Sequence, residues 1–201
     1  MQNCSEITIR HAVLSDAVDV ANYIWQTDPY IYPSAVQTPN EYAWIDFIAR
    51  SLADKDSIYF QKRVLVATTN SKVVGICAFF RCKDTLHFSL PVDTSILEGI
   101  TFIDNGYYRP LIIEQNSTAE GVYIHNLCVD KAFQRRGIGG KLLDNVLAMF
   151  PYCDVALDVL ENNHTARRLY EKKGFVAVQR HNGFVGRQNK IVPCLKMVRY
   201  K

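Results

Sequence analysis

Gln134-Arg135-Arg136-Gly137-Ile138-Gly139-Gly140-Lys141 lies between an apolar run, Val122 to Val129, that predicts a strand and an amphipathic run, Lys141 to Phe150, that predicts a helix. A strand that feeds a glycine-rich turn opening a helix makes an anion site from backbone alone. The first helical turn leaves N–H groups unpaired, and the positive end of the helix dipole points outward. Gly137, Gly139 and Gly140 allow close approach of a ligand to the backbone, while Gln134, Arg135, Arg136 and Lys141 add donors and positive charge suited to phosphate.

Two nucleotide patterns fail on this turn. The dinucleotide pattern G-x-G-x-x-G fits at Gly137 and Gly139 but meets Leu142 at its third glycine. The phosphate loop G-x-x-x-x-G-K-[ST] meets Arg135 at its first glycine and Leu142 where a hydroxyl would hold magnesium. The pattern that fits is [QR]-x-x-G-x-[GA], as Gln134, Gly137 and Gly139, directly after the strand ending Leu127-Cys128-Val129-Asp130.

A second stretch follows at Asp154 to Leu160, another predicted strand, and continues Glu161-Asn162-Asn163-His164-Thr165-Ala166-Arg167-Arg168-Leu169-Tyr170-Glu171-Lys172-Lys173-Gly174-Phe175. It fills every specified position of N-x-x-A-x-x-L-Y-x-K-x-G-F with Asn163, Ala166, Leu169, Tyr170, Lys172, Gly174 and Phe175. In these two motifs, in this order, the chain resembles the GNAT superfamily of acyl-CoA N-acyltransferases, specifically over about Val122 to Phe175 and loosely elsewhere. The resemblance implies an α/β (α+β) fold, with a central mixed, mostly antiparallel sheet flanked by helices. It also implies acetyl-CoA as co-substrate, held by the backbone of Leu127, Cys128 and Val129, by Gln134, Arg135, Arg136, Gly137, Ile138, Gly139, Gly140 and Lys141, and by Asn163. Tyr170 matches the family's catalytic tyrosine and is expected to protonate the departing thiolate.

Acyl transfer from a thioester to an amine needs a neutral amine, a stabilised oxyanion and a proton for the leaving sulfur. A lysine-like amine with a reference pKa near 10.4 must lose about 4–5 kcal/mol of protonation preference at pH 7. His125, two residues before Leu127 on the central strand, is the first candidate base and Glu120 the second. Tyr123 and Asp158 also alternate onto plausible faces, and a water chain is a further route. A core histidine bonded to a carbonyl explains His125 equally well, and helix capping alone explains Asn163.

The rest of the chain sets bounds. Its 201 residues suit one domain, burying about 70% of the unfolded surface. A net charge of +3 is too small and mixed to argue for nucleic acid or membrane. The six cysteines form no C-x-x-C pair, so reduced thiols in a cytoplasmic protein are expected, and no metal site is expected from the dispersed histidines. Met1 to Arg10 has no apolar core of a secretory signal, and the run Val73 to Phe80 is too short to span a bilayer. The resemblance leaves a homodimer open.

In chain order the patterns predict a strand at Glu6 to Arg10, a helix from Leu14 to Trp25 capped by Ser15 or Asp16, and a helix opening at Thr38-Pro39-Asn40-Glu41. A hairpin of Val64 to Thr68 and Val73 to Phe80 follows, and the last strands are Val176 to Gln179 and Ile191 to Arg199. Residues 81–120, roughly forty, exceed an ordinary connection and are expected to form an ordered insertion within the single 1–201 domain. The expected activity is therefore transfer of an acetyl group to a primary amine of a small molecule or a protein. A non-catalytic acyl-CoA-binding or sensing module is the alternative. The acceptor has no code in the sequence.

Overall fold

A computed structural model describes residues 6–27, 36–37, 41–84, 101–102, 121–185 and 191–201. The strands are β1 (Thr8–His11), β2 (Val36–Gln37), β3 (Val64–Thr69), β4 (Lys72–Arg81), β5 (Thr101–Phe102), β6 (Val122–Val129), β7 (Val155–Leu160), β8 (Val176–Val185) and β9 (Ile191–Arg199). The helices are α1 (Ala17–Thr27), α2 (Glu41–Ser51), α3 (Ile138–Met149) and α4 (His164–Lys172). Seven strands form one mixed sheet in the order β1-β3-β4-β6-β7-β9-β8. Every neighbouring pair is antiparallel except β6 with β7, which is parallel.

Period-two alternation along the strands sends their side chains to two separate cores. One core joins Val20, Ala21 and Ile24 of α1 and Phe47 and Ile48 of α2 to Ile76, Phe80, Tyr123 and Ala156. The other joins Ile138, Leu142, Leu143 and Val146 of α3 and Tyr170 of α4 to Cys77, Ile124, Leu157 and Val159. The sheet thus has an α1/α2 face and an α3/α4 face. Every residue named as core in the second set is less than a tenth exposed, which is what a two-layer burial of an α/β sheet requires.

Local chemistry explains most boundaries. The β3–β4 hairpin turns on Asn70 (φ 47°) and Ser71 (φ 61°), the paired left-handed geometry whose twist matches two antiparallel strands. Asp16 closes the turn before α1 by accepting from the Val13 N–H at 2.9 Å while paired with Arg10 at 2.6 Å. Strand β1 and helix α1 lie one to three residues from the expected bounds, and two boundaries near the glycine turn and the last strands also differ. Helix α3 begins at Ile138 rather than Lys141, because Gly139 and Gly140 lie inside its first turn, packed toward Leu169 and Lys173. Strand β8 runs on to Val185 rather than ending at Gln179, with irregularities at Ala177/Gln179 and Gly183/Val185 that keep it paired to β9. Of the insertion, Thr101–Phe102 pairs antiparallel with Val36–Gln37. The rest of residues 85–120, Glu120 included, and the helix-opening residues 38–40 lie outside the described residues.

Candidate active site

The site grows from an irregularity in the central strands. Opposite Ala78 and Phe79 of β4, strand β6 presents Asn126 and Ile124, so His125 is an extra residue without a partner, a β-bulge. Beyond the bulge the parallel pairing of β6 with β7 stops: Val122↔Val155, Tyr123↔Ala156 and Ile124↔Leu157 are its three rungs. The lower half of β6 stays on β4, through Val129↔Gly75, and β7 stays on β9, through Leu160↔Cys194, so a gap opens between them. Asp130 N–H donates to the Val74 carbonyl at 2.9 Å. Strand alternation then turns the backbone of Cys128 toward β4 and the N–H and C=O groups of Leu127 and Val129 toward the gap. Gln134 Nε2 donates to the Val129 carbonyl at 3.0 Å, tying the glycine turn to this edge.

The turn itself bends through left-handed Arg135 (φ 63°) and Gly137 (φ 78°), a conformation that asks for glycine at the helix cap. The Gly137 carbonyl accepts from Lys141 N–H at 3.0 Å. The N–H groups of Ile138, Gly139 and Gly140 precede the first intrahelical donor, and they point out at the positive end of α3. Gln134, Arg135, Arg136 and Lys141 stand exposed around them, Arg136 with its guanidinium 5.1 Å from the Phe133 ring centre. A Cβ on Gly139 would stand 3.4 Å from Leu169 Cδ2, so this glycine also lets α3 pack on α4. Lys173 of that neighbouring segment reaches both oxygens of Asp144 at 2.6 Å.

On the α3/α4 face, Asn163 caps α4, its Oδ1 accepting from Ala166 N–H at 3.1 Å. Two turns later Tyr170 is buried in the core that contains Cys77 and is flanked by Leu127 and Val129, beside Phe175 at a ring separation of 5.9 Å. Burial pushes its phenol well above the usual range, so it holds its proton at neutral pH. Cys128 lies against the other core, and burial pushes its thiol up to about 11.

The bulge makes His125 and Asn126 consecutive residues on the α1/α2 face. Asn126 Nδ2 donates to Thr27 Oγ1 at 2.5 Å. His125 lies between the rings of Tyr59 (5.3 Å) and Phe80 (5.7 Å), and its Nε2 is buried with no hydrogen-bond partner among the described residues. An imidazolium there would have neither water nor a counter-charge, and burial pulls the group down to about 4. It is a weak proton acceptor, so its surroundings do not support the expectation that His125 is the general base.

The same face carries a polar chain. Tyr123 donates its hydroxyl to Asp158 Oδ2 at 2.6 Å, and Asp158 Oδ1 lies 2.8 Å from His181 Nε2 of β8. Lys196 of β9 is opposite Asp158 in register and 5% exposed, and burial lowers its pKa against the pull of Asp158 and Cys82. Tyr123 and Asp158 were legible as candidates, whereas His181 was not. Its position shows only once β8 is known to run past Gln179, which puts His181 opposite Cys194 and two rungs from Lys196. Among the described residues no group of three or more His, Cys, Asp or Glu could hold a metal, and no helix is long and apolar enough to cross a membrane.

Residues 60–177 match the model of the acetyltransferase (GNAT) domain, more than half of the chain and the whole of the bulge, gap, glycine turn and α4. The chain belongs to the GNAT acetyltransferase family. A probable N-acetyltransferase of Mycobacterium tuberculosis is 44% identical over 54 residues, which is 27% of this chain and 31% of that protein, so the match spans about a third of the relative's length. Among solved structures, an N-acetyltransferase from Staphylococcus aureus Mu50 superposes with a TM-score of 0.74 at 21% identity, covering 95% of this chain and 99% of that one. Arabidopsis thaliana Naa50, solved in complex with the bisubstrate analogue CoA-Ac-MVNAL, gives 0.57 at 19% identity over 97% and 99% of the two chains. At these identities the likeness is one of fold.

For a GNAT protein the arrangement has a plain chemical meaning. The backbone edge of Leu127 and Val129 offers an extended amide-bearing chain a third strand to pair with, and the α3 N-terminus with its arginines offers phosphate a seat at the end of that edge. Tyr170 and the Tyr123–Asp158–His181 chain stand on opposite faces of the sheet, and the gap joins those faces.

Proposed function

We propose that the protein transfers an acetyl group from acetyl-CoA to a primary amine of a small-molecule or protein acceptor, in one direct step. The observation that carries this reading is the opened β6–β7 gap, with the backbone edge of Leu127 and Val129 leading to the α3 N-terminus. Gln134, Arg135, Arg136, Lys141 and the N–H groups of residues 137–140 would hold the pyrophosphate, and Asn163, beyond its capping bond, has an amide N–H₂ to offer the coenzyme's arm. Bound there, the co-substrate supplies an activated acetyl group as a thioester. The protein supplies alignment, a backbone edge that excludes water from one side, and a proton for the leaving sulfur from Tyr170. None of the five described cysteines is in a disulfide, which suits a reducing compartment, and we place the protein in the cytoplasm.

The test is thiol release from acetyl-CoA with a panel of primary amines, including lysine peptides and peptides with free N-termini. Amine-dependent release is expected, with the acetylated amine identified by mass. Acetyl-CoA binding in calorimetry, with no release across the panel, would favour the acyl-CoA-sensing module instead.

A further inference from the structure

The Tyr123–Asp158–His181 chain spans β6, β7 and β8 on the face opposite Tyr170, and it starts where β6 and β7 part. Asp158 is the first residue of β7 beyond the last rung, Ile124↔Leu157, so its carboxylate stands at the head of the gap. One oxygen takes the Tyr123 hydroxyl and the other meets His181 Nε2. The side chains of His181 and Asp158 are only 13% and 21% exposed, and His181 Nδ1 is buried with no hydrogen-bond partner among the described residues. An imidazole oriented through one nitrogen by a carboxylate, with its other nitrogen uncommitted, is built to change protonation rather than to tie strands together.

We infer that Asp158 and His181 together take the proton that the acceptor amine must lose, with the Tyr123 hydroxyl linking the gap to the carboxylate. The inference rests on the amine acetyl transfer proposed above. In the step, an N–H bond of the acceptor ammonium breaks and its proton passes to the Tyr123 oxygen as Tyr123 passes its own to Asp158 Oδ2. The Asp158–His181 pair goes from net negative to neutral and holds the proton as a unit. The freed nitrogen lone pair forms the C–N bond at the thioester carbonyl, and the C–S electrons leave on sulfur. Tyr170 protonates the sulfur and is made whole by the second proton the nitrogen sheds. The pair then returns its proton to water, so each turnover releases one. His181 acts through Asp158 and is a positioning residue. The groups that face it are Asp158 of β7, Tyr123 of β6, and Lys196 and Cys194 of β9, with Cys82 beyond them and the Arg180–Glu161 ion pair one residue along β8.

The test uses Asp158→Asn and His181→Gln, checked for folding by thermal melting. Histidine-ring NMR from pH 5 to 9 comes first. The His181 ring signals are expected to move in D158N, where the carboxylate that Nε2 faces at 2.8 Å is gone. With the best amine from the panel, D158N should lower kcat about 10²–10⁴-fold. H181Q should lower it less and move the acid limb of the kcat profile to lower pH, while acetyl-CoA affinity stays unchanged in both. His181 ring signals unmoved by D158N, or variants that keep the wild-type kcat and acid limb, would overturn the base. A wild-type protein that releases no thiol with any amine would instead remove the acetyl transfer, and this proposal with it.

Discussion

Tyr170 and His125 show how burial alone sorts two ionisable rings. On Tyr170, burial favours the neutral phenol, the state an acid must start from, and no hydrogen bond to a described residue holds the hydroxyl. Tyr170→Phe keeps the ring against Phe175 and deletes only that hydroxyl. A fall in kcat of about 10²–10⁴-fold is expected, with acetyl-CoA affinity and melting temperature nearly unchanged. Full kcat at saturating substrates would leave Tyr170 as packing. On His125 the same burial is a liability for stability in acid. Its folded pKa of about 4 lies below the unfolded value of 6.5, so between those values the unfolded chain binds the extra proton and stability rises with pH. Going from pH 7 to 4.5 should cost about 2–3 kcal/mol through this residue. Urea unfolding at the two pH values should show that difference shrink in His125→Gln. An unchanged difference would mean that His125 is hydrated in the folded protein. Asp16, held down by Arg10, adds its own loss only at lower pH, below the ordinary carboxylate range.

The glycine turn and the start of α3 act as one element, and a test of it must spare its packing. A bulky residue at Gly139 is a poor choice, because Leu169 stands against that position. Arg135 and Arg136 are exposed, so reversing their charge leaves the fold alone. Arg135→Glu with Arg136→Glu should weaken acetyl-CoA binding about tenfold or more. The loss should be larger at low salt than at high salt. Calorimetry at two ionic strengths checks it, and unchanged affinity in the folded variant would move the pyrophosphate elsewhere. The element was legible because an anion site on a helix N-terminus is written in consecutive residues, Gln134 to Lys141. What was not legible was the division of labour among its glycines. Gly137 supplies a backbone angle, while Gly139 and Gly140 face Leu169 and Lys173, a contact between segments far apart in sequence.

At the scale of the molecule, the family and the order of elements followed from two local motifs and the periods of the strands and helices. The proposed proton path did not. Tyr123, Asp158 and His181 come from three strands, and their meeting depends on a register across β7, β9 and β8 that no local pattern encodes. The bulge at His125 was equally hidden, since an extra residue in a strand leaves no mark on the sequence alternation of so short a run. The bulge has a kinetic meaning. Because the sheet is parted below His125, the two reactants can approach from its opposite sides, so neither has to leave before the other arrives. Cys128, the cysteine of the parted strand, keeps its proton up to about 11 and is no resting place for an acyl group. Double-reciprocal plots with both reactants varied should therefore intersect rather than run parallel, and intact-mass spectra after incubation with acetyl-CoA alone should show no added 

acetyl on the protein.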